Sequence, residues 1–114
     1  MVKENYIPDK GDLVWIDFNP QQGREQAGKR PALVLSPRLY NKKSGLALMC
    51  PITSQVKGYP FEVALLGGAI KGAILADQVR TLDWVARRAS FIERVSHDIL
   101  QEVQQKIIVL LLGA

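Results

Sequence analysis

The sequence predicts a mainly β fold, a small barrel or a pair of packed antiparallel sheets, with one helix at its C-terminal end. Three observations lead there. Short apolar runs rich in β-branched and aromatic residues recur along the chain, and glycine- or proline-bearing turns separate them. Helical spacing of apolar residues emerges only in the last segment. With 114 residues, 47% hydrophobic and 23% charged, residues 1–114 suit one domain with one core and are too apolar for a disordered chain.

The first strand is expected in "GDLVWIDF" at 11–18, which opens on a turn signal and ends at Asn19-Pro20. Apolar residues occupy both parities there, so both faces should be covered. "NPQQGREQAGKRP" at 19–31 follows, a loop long enough to be a lid, a binding loop or a disordered segment. Gly23 and Gly28 let it bend, and it is expected to be poorly ordered without ligand. "ALVLS" follows Pro31, "LALMCPI" at 46–52 follows the turn-like "YNKKSG", and "FEVALL" at 61–66 follows "KGYP". "GGAIKG" marks a reversal, after which "AILADQVRTLDW" supplies one or two more strands.

From Ser96 onward, "SHDILQEVQQKIIVLLLGA" places Ile99, Leu100, Val103, Ile107, Leu110 and Leu111 at helical spacing. Ser96 caps the first turn, Asp98 sits near the positive end of the dipole, and Gly113 marks the exit. Ile107 to Leu112 form an apolar collar on every side, so both faces of that end need cover. One face can lie on the sheet; the other fills a gap in the core or meets a second copy of the chain, and a homodimer is expected.

Charge is distributed unevenly. Seven basic residues (Arg24, Lys29, Arg30, Arg38, Lys42, Lys43, Lys57) and one acid, Glu25, lie between positions 24 and 57, within a formal net charge of +4. That bias suits an anionic partner. A membrane surface fits less well, because these residues are expected in turns between strands rather than on one helix face. Nothing at the N-terminus resembles a secretory signal, and the longest apolar run, 107–112, is far short of the roughly 20 residues that span a bilayer. A soluble cytoplasmic protein is expected. Cys50, the one cysteine, reads as a buried apolar residue, and His97, the one histidine, as a solvated or capping group. No zinc spacing, calcium loop, phosphate loop or serine elbow is present in the sequence, so neither metal nor cofactor is expected.

What remains is Glu25 and Arg30 in one basic loop, hydroxyl and amide side chains in "PITSQVKG", and Asp77-Gln78 in "LADQV". This set suits cleavage of RNA by attack of its own 2′-hydroxyl on the neighbouring phosphate, which needs no external nucleophile. A guanidinium at Arg30 would counter added charge on the phosphate oxygens. Glu25 would accept the 2′-proton if partial burial raised it from the ordinary glutamate value of about 4.3. Thr53 would donate to a phosphate oxygen. Phe18 and Tyr59 could stack on unpaired bases or pack in the core, and Lys57 could meet a phosphate.

The stretches "PDKGDLVWIDFNPQQGREQAGKRPALVLSP", "YN", "PITSQVKGYPFEV" and "LADQVRTLDW" resemble, in order and spacing, the MazF/PemK toxins of bacterial toxin-antitoxin pairs, from Tyr6 to Arg88. The resemblance implies a small, partly open antiparallel barrel, like a Src-homology barrel, shared with the CcdB gyrase toxins. It also implies a homodimeric, sequence-specific endoribonuclease acting on single-stranded messenger RNA, leaving a 2′,3′-cyclic phosphate and a 5′-hydroxyl. Carried over by motif, the essential arginine falls on Arg30, the essential threonine on Thr53 and the loop glutamate on Glu25; Asp77 and Gln78 match a pair that contacts RNA or the second site. Some relatives carry an arginine two residues before that aspartate, where this chain has Leu75, so the base is assigned to Glu25 rather than Asp77. The implied partner is an acidic antitoxin whose disordered tail lies in the same groove, with neither DNA nor membrane expected for this chain alone. Two other readings share the architecture: a non-catalytic toxin that poisons a target such as gyrase by binding, and an inactive antitoxin-binding relic.

Overall fold

The computed structural model describes residues 6–18 and 28–113, so the expectations for Glu25 and for the order of the 19–27 loop lie outside the described residues. Nine elements follow in order: β1 (Asp12–Asp17), β2 (Lys29–Val34), α1 (Arg38–Ser44), β3 (Leu46–Thr53), β4 (Glu62–Leu65), β5 (Gly72–Leu75), β6 (Arg80–Asp83), β7 (Ser90–Arg94) and α2 (His97–Leu112). The strands pair in the order β4-β5-β3-β2-β1-β7, with β6 beside β3 off that path, and every pairing is antiparallel. The sheet curls into a partly open barrel, one of the two arrangements the strand pattern allowed and the one the family resemblance implied, with α2 as its C-terminal helix.

The curl originates in β3. Along one edge it pairs with β2 through Ala32↔Pro51, Leu33↔Cys50 and Val34↔Met49. Along the other, Leu46 to Met49 pair with β6, whereas Ile52 and Thr53 pair with β5. The change of partner falls at Cys50-Pro51, and proline has no N–H to contribute to a ladder. One strand therefore serves two sheets.

Strand alternation then divides the core. Leu13, Leu33, Cys50 and Ile52 point into a cluster with Val63, Ile74 and Val103 of α2. Val14, Ile16, Ala32, Val34, Ala47 and Met49 point the other way, into a cluster completed by Leu82 and flanked by Phe18 and Trp84. Leu13 on one face of β1 and Val14 and Ile16 on the other are buried, as its mixed parity predicted, but Trp15, on the Leu13 face, is exposed.

The C-terminal helix starts and stops where its sequence signals lie. The Ser96 hydroxyl accepts the Ile99 N–H at 3.2 Å, and Gly113, at φ +70°, donates its N–H to the Val109 carbonyl at 2.8 Å. Val103 is fully buried, and Ile99, Leu100 and Ile107 pack against the first cluster. Beyond Ile107 the helix leaves the sheet, and Ile108 to Leu112 are exposed. This collar therefore fills no gap in the core of the single chain.

Two elements depart from the sequence reading. The turn-like segment 40–45 lies largely in α1 (Arg38–Ser44), and residues 90–94, assigned to no element from the sequence, form β7 on the edge beside β1. α1 is held by tertiary bonds. The Asp9 carboxylate accepts the Arg38 N–H at 2.9 Å in place of a side-chain cap from Pro37. Buried Asn41 donates to the Pro8 and Ser36 carbonyls at 2.8 and 3.0 Å, and its own carbonyl accepts the Trp84 indole N–H at 2.9 Å. β7 is tied down by Arg94, whose guanidinium meets buried Asp12 at 2.8 Å.

Cys50 is buried, as expected, and burial pushes its thiol up to about 12, with Asp77 contributing in the same direction. An unfolded thiol ionises near about 8.5, so between that pH and about 12 only the unfolded chain loses the proton. Stability should be intact below pH ~8.5 and fall as pH climbs towards 12, and urea titrations should show a shallower fall in Cys50→Ala. At neutral pH a thiol reagent should label the chain only in denaturant.

Gly72 supplies a second test. It sits at φ +141°, and a Cβ there would lie 2.1 Å from the Thr53 carbonyl oxygen. Gly72→Ala should destabilise the fold by about 2 kcal/mol or more, read from the denaturation midpoint, because the β3–β5 ladder must separate.

Candidate functional site

Alternation that fills the second cluster also places three polar or aromatic ends on one face. Phe18 continues the parity of Val14 and Ile16, Arg30 that of Ala32 and Val34, and Thr53 that of Ala47 and Met49. Arg30 pairs with Ile16, and the Phe18 N–H donates to the Gly28 carbonyl at 2.9 Å. The β2–β3 ladder ends at Ala32↔Pro51, and Arg30 and Thr53 each lie two residues beyond that pair on their strands. Phe18, Arg30 and Thr53, joined by Ser54, Gln55 and Lys71, line an open cleft of about 330 Å³.

Phe18 is half-buried and belongs both to the core and to this cleft. The Arg80 guanidinium carbon stands 5.5 Å from its ring centroid, and Arg87 donates to its carbonyl at 2.8 Å. The ring is thus held between the second core cluster and the Arg80 guanidinium, at the edge of the cleft. Arg87 also donates to the Asp17 carbonyl, at 3.2 Å, so the end of β1 and the residue after it are held together.

A second cleft of about 300 Å³ shares Thr53 and Gln55 with the first and continues past Lys57, Tyr59, Leu75, Asp77 and Gln78. Asp77 and Gln78 reach it because β5 turns tightly after Leu75: the Gln78 N–H donates to the Leu75 carbonyl at 3.1 Å and the Ala76 N–H to the Phe61 carbonyl at 3.0 Å. Tyr59, 60% exposed, is not a core residue, contrary to the core-packing alternative for it. The Thr53 hydroxyl accepts the Gln55 N–H at 3.0 Å, which leaves its own proton free to be donated.

The basic residues divide. Arg30, Lys57 and Lys71 line the two clefts, whereas Arg38, Lys42 and Lys43 ride on α1, ahead of the opposite end of β3. Eight strand residues at roughly 3.3 Å each separate the two groups by about 25 Å. The expected placement of the basic residues in turns between strands is therefore wrong for Lys29 and Arg30, which lie on β2, and for the three on α1. His97 is exposed at the start of α2, with Nε2 3.1 Å from the Gln101 amide nitrogen, and lines neither cleft.

Of the residues singled out from sequence, Phe18, Arg30, Thr53, Lys57, Asp77 and Gln78 are brought to the two joined clefts, and Glu25 lies outside the described residues. Lys71, Phe61 and Glu62 were missed. Lys71 carried no local signal beyond a lysine in a glycine turn; only the β3–β5 pairing brings it beside Arg30.

A family model described as the PemK-like, MazF-like toxin of type II toxin-antitoxin system matches residues 9–111. The endoribonuclease toxin MazF of Escherichia coli (strain K12) is 53% identical over 106 residues, 93% of this chain and 96% of that protein. Endoribonuclease PemK of Escherichia coli is 32% identical over 108 residues, covering 90% of this chain and 81% of that one. Among solved structures, MazF (Form-I) from Deinococcus radiodurans superposes with a TM-score of 0.85 at 51% identity, covering 96% of this chain and all (100%) of that one. The MazE-MazF complex (Form-II) from the same organism gives 0.84 at 47% identity, over 96% of this chain and 98% of that one. With these matches spanning nearly its whole length, the chain belongs to the PemK/MazF toxin family of type II toxin-antitoxin systems.

Proposed function

We propose that this chain is a sequence-specific endoribonuclease toxin that cuts single-stranded messenger RNA by attack of a ribose 2′-hydroxyl on the adjacent phosphorus. The observation that carries the reading is one cleft lined by both Arg30 and Thr53, joined through Thr53 and Gln55 to a second cleft lined by Lys57, Asp77 and Gln78. In the reaction the 2′-oxygen bonds to phosphorus, the P–O5′ bond breaks, and a cyclic phosphate is left beside a free 5′-hydroxyl. The 2′-proton passes to Glu25, and the leaving 5′-oxygen takes up a proton.

Arg30 stabilises the phosphorane. A guanidinium keeps its charge throughout the physiological range and offers paired donors to two phosphate oxygens. It sits exposed on β2, so its charge is solvated until the phosphate arrives. Thr53, with its hydroxyl already accepting from Gln55, donates to a non-bridging oxygen and fixes the phosphate against the strand end. Phe18 stacks on an unpaired base, Lys57 meets backbone phosphate, and Asp77 and Gln78 bond to base edges in the second cleft.

Two kinds of partner follow. An acidic antitoxin tail bonded along the same clefts would exclude RNA, and relatives from Deinococcus radiodurans have been crystallised as MazE-MazF complexes. A second copy of the chain would cover Ile108 to Leu112, making a homodimer. Among the described residues no helix is long and apolar enough to cross a membrane. A messenger RNA substrate would be met in the cytoplasm, the compartment this reading assigns to the protein. No observation favours target poisoning by binding alone.

Purified protein incubated with synthetic single-stranded RNA in EDTA should cut at a defined word, leaving cyclic phosphate ends. Arg30→Ala should lose about 100-fold or more in kcat while melting like the parent, since one lost charge-stabilising donor costs about 3 kcal/mol in the transition state. RNA left intact by the parent over a broad set of sequences would overturn the reading. KM should rise between 50 and 200 mM salt, with two or three phosphate contacts giving a log–log slope of about 2.

A further inference from the structure

We propose that Glu62 is a positioning residue for RNA recognition: its carboxylate holds the turn that carries Lys57 and Tyr59 to the second cleft. The inference rests on the ribonuclease reading above and deepens it. Glu62 Oε1 accepts the Gly58 N–H at 2.8 Å and the Lys57 N–H at 3.1 Å, with Oε2 3.2 Å from the same Lys57 nitrogen. Two successive N–H groups aimed at one carboxylate form a nest, and Gly58, at φ +79°, supplies the left-handed residue that such a concavity requires. The Glu62 N–H in turn donates to the Tyr59 carbonyl at 3.1 Å. The turn closes on the residue that ends it.

A second clasp comes from α2. Lys106 donates from Nζ to the Pro60 carbonyl at 2.7 Å, so the far side of the same turn is fixed to the helix. Between the clasps stands Tyr59, 60% exposed, with the Lys57 ammonium 6.0 Å from its ring centroid. An exposed aromatic ring beside a cation is the pairing that single-stranded RNA recognises, a stacking surface next to a phosphate contact.

Glu62 also presents an apparent contradiction, an acid lining a cleft meant for an anion. The nest resolves it. Its carboxylate oxygens are directed at backbone N–H groups, so the charge is turned inward while Lys57 faces the substrate. Its place is in the second cleft and not in the first, where Arg30 lies, so its influence falls on binding rather than on the chemical step. Without the carboxylate the turn must be ordered when RNA binds, and that cost appears in KM.

Kinetics on a single-stranded oligoribonucleotide carrying the word mapped with the parent provide the test. Glu62→Ala should raise KM about tenfold with kcat within about twofold, the size expected for lost charged hydrogen bonds. Discrimination against singly substituted words should fall alongside. Glu62→Gln, whose amide oxygen can stand where Oε1 stands, should stay within about threefold of the parent, and Lys106→Met should move KM in the same direction by a smaller factor. Melting curves establish that each variant is folded; if Glu62→Ala is not, a Lys106→Met protein with parental KM overturns the proposal. So does a Glu62→Ala protein that matches the parent, one that loses kcat at unchanged KM, or a Glu62→Gln protein as impaired as the alanine variant. If the parent itself cuts no RNA, the ribonuclease reading falls and this inference with it; if only the variants disagree, the reading stands and the inference alone fails.

Discussion

The architecture depends on one strand having two neighbours along a single edge. β3 gives Leu46 to Met49 to β6 and Ile52-Thr53 to β5, and the sheet must bend at Cys50-Pro51 to allow it. β5 can lie close enough only because Gly72 has no side chain where the Thr53 carbonyl passes. Were β6 to continue along β3 to its end, the turn bearing Asp77 and Gln78 would be carried away from Thr53. The bend therefore makes two clefts that meet at Thr53 and Gln55, while alternation along β3 sends Met49 and Cys50 into opposite layers of the core.

The same constraint explains how a strongly charged site coexists with an apolar core one residue away. Arg30 is exposed, while Ala32, next on the same face, is fully buried. Strand ends are where a charge can stay solvated and still be positioned by a ladder, so the fold bears no desolvation cost for the guanidinium in the free protein. A phosphate arriving in the cleft then finds a cation whose backbone is already placed by the β1–β2 ladder. In the proposed mechanism this preorganisation, more than the count of basic residues, accounts for the rate, because reorganising dipoles during the reaction is what catalysis must avoid. The separation of Arg38, Lys42 and Lys43 onto α1 reinforces the distinction: charge read along the chain as one patch is divided by the fold into a cleft-lining group and a remote one.

Much of the sheet was legible in the sequence because apolar runs between glycine and proline turns report strands directly, and the caps of α2 stand at the residues that signalled them. α1 was not legible. Tyr40-Asn41 through Gly45 carries the composition of a turn, and the groups that make it a helix, Asp9, Pro8, Ser36 and Trp84, contact it through tertiary structure. β7 was missed for a related reason: "SFIER" is short and half-exposed, and its partner β1 lies at the other end of the chain. At the site, residue types and the family pattern singled out Arg30 and Thr53, but their meeting in one cleft depends on the β2–β3 pairing, which no local window contains. Lys71 and Glu62 are of the same kind, ordinary surface charges until the pairing of β5 with β3 and the curl of the 57–62 turn give them something to hold.

α2 connects these levels. Its first half is a core element, with Val103 fully buried, and its last residues, Leu111 and Leu112, are 77% and 75% exposed in the single chain. Five consecutive large apolar residues at the end of a helix, Ile108 to Leu112, form a patch that water covers only at a cost of roughly 25 cal/mol per Å². Groove residues Leu35, Leu48 and Val79 extend that patch onto the sheet beside Ile107 and Ile108. Lys106 stands immediately before it and reaches the opposite way, to Pro60. A second copy seated on the patch, as proposed, would immobilise the helix at the point where it clasps the turn of the second cleft. Assembly and RNA recognition would then share one rigid element, and the cleft would be most completely ordered when the proposed dimer has formed.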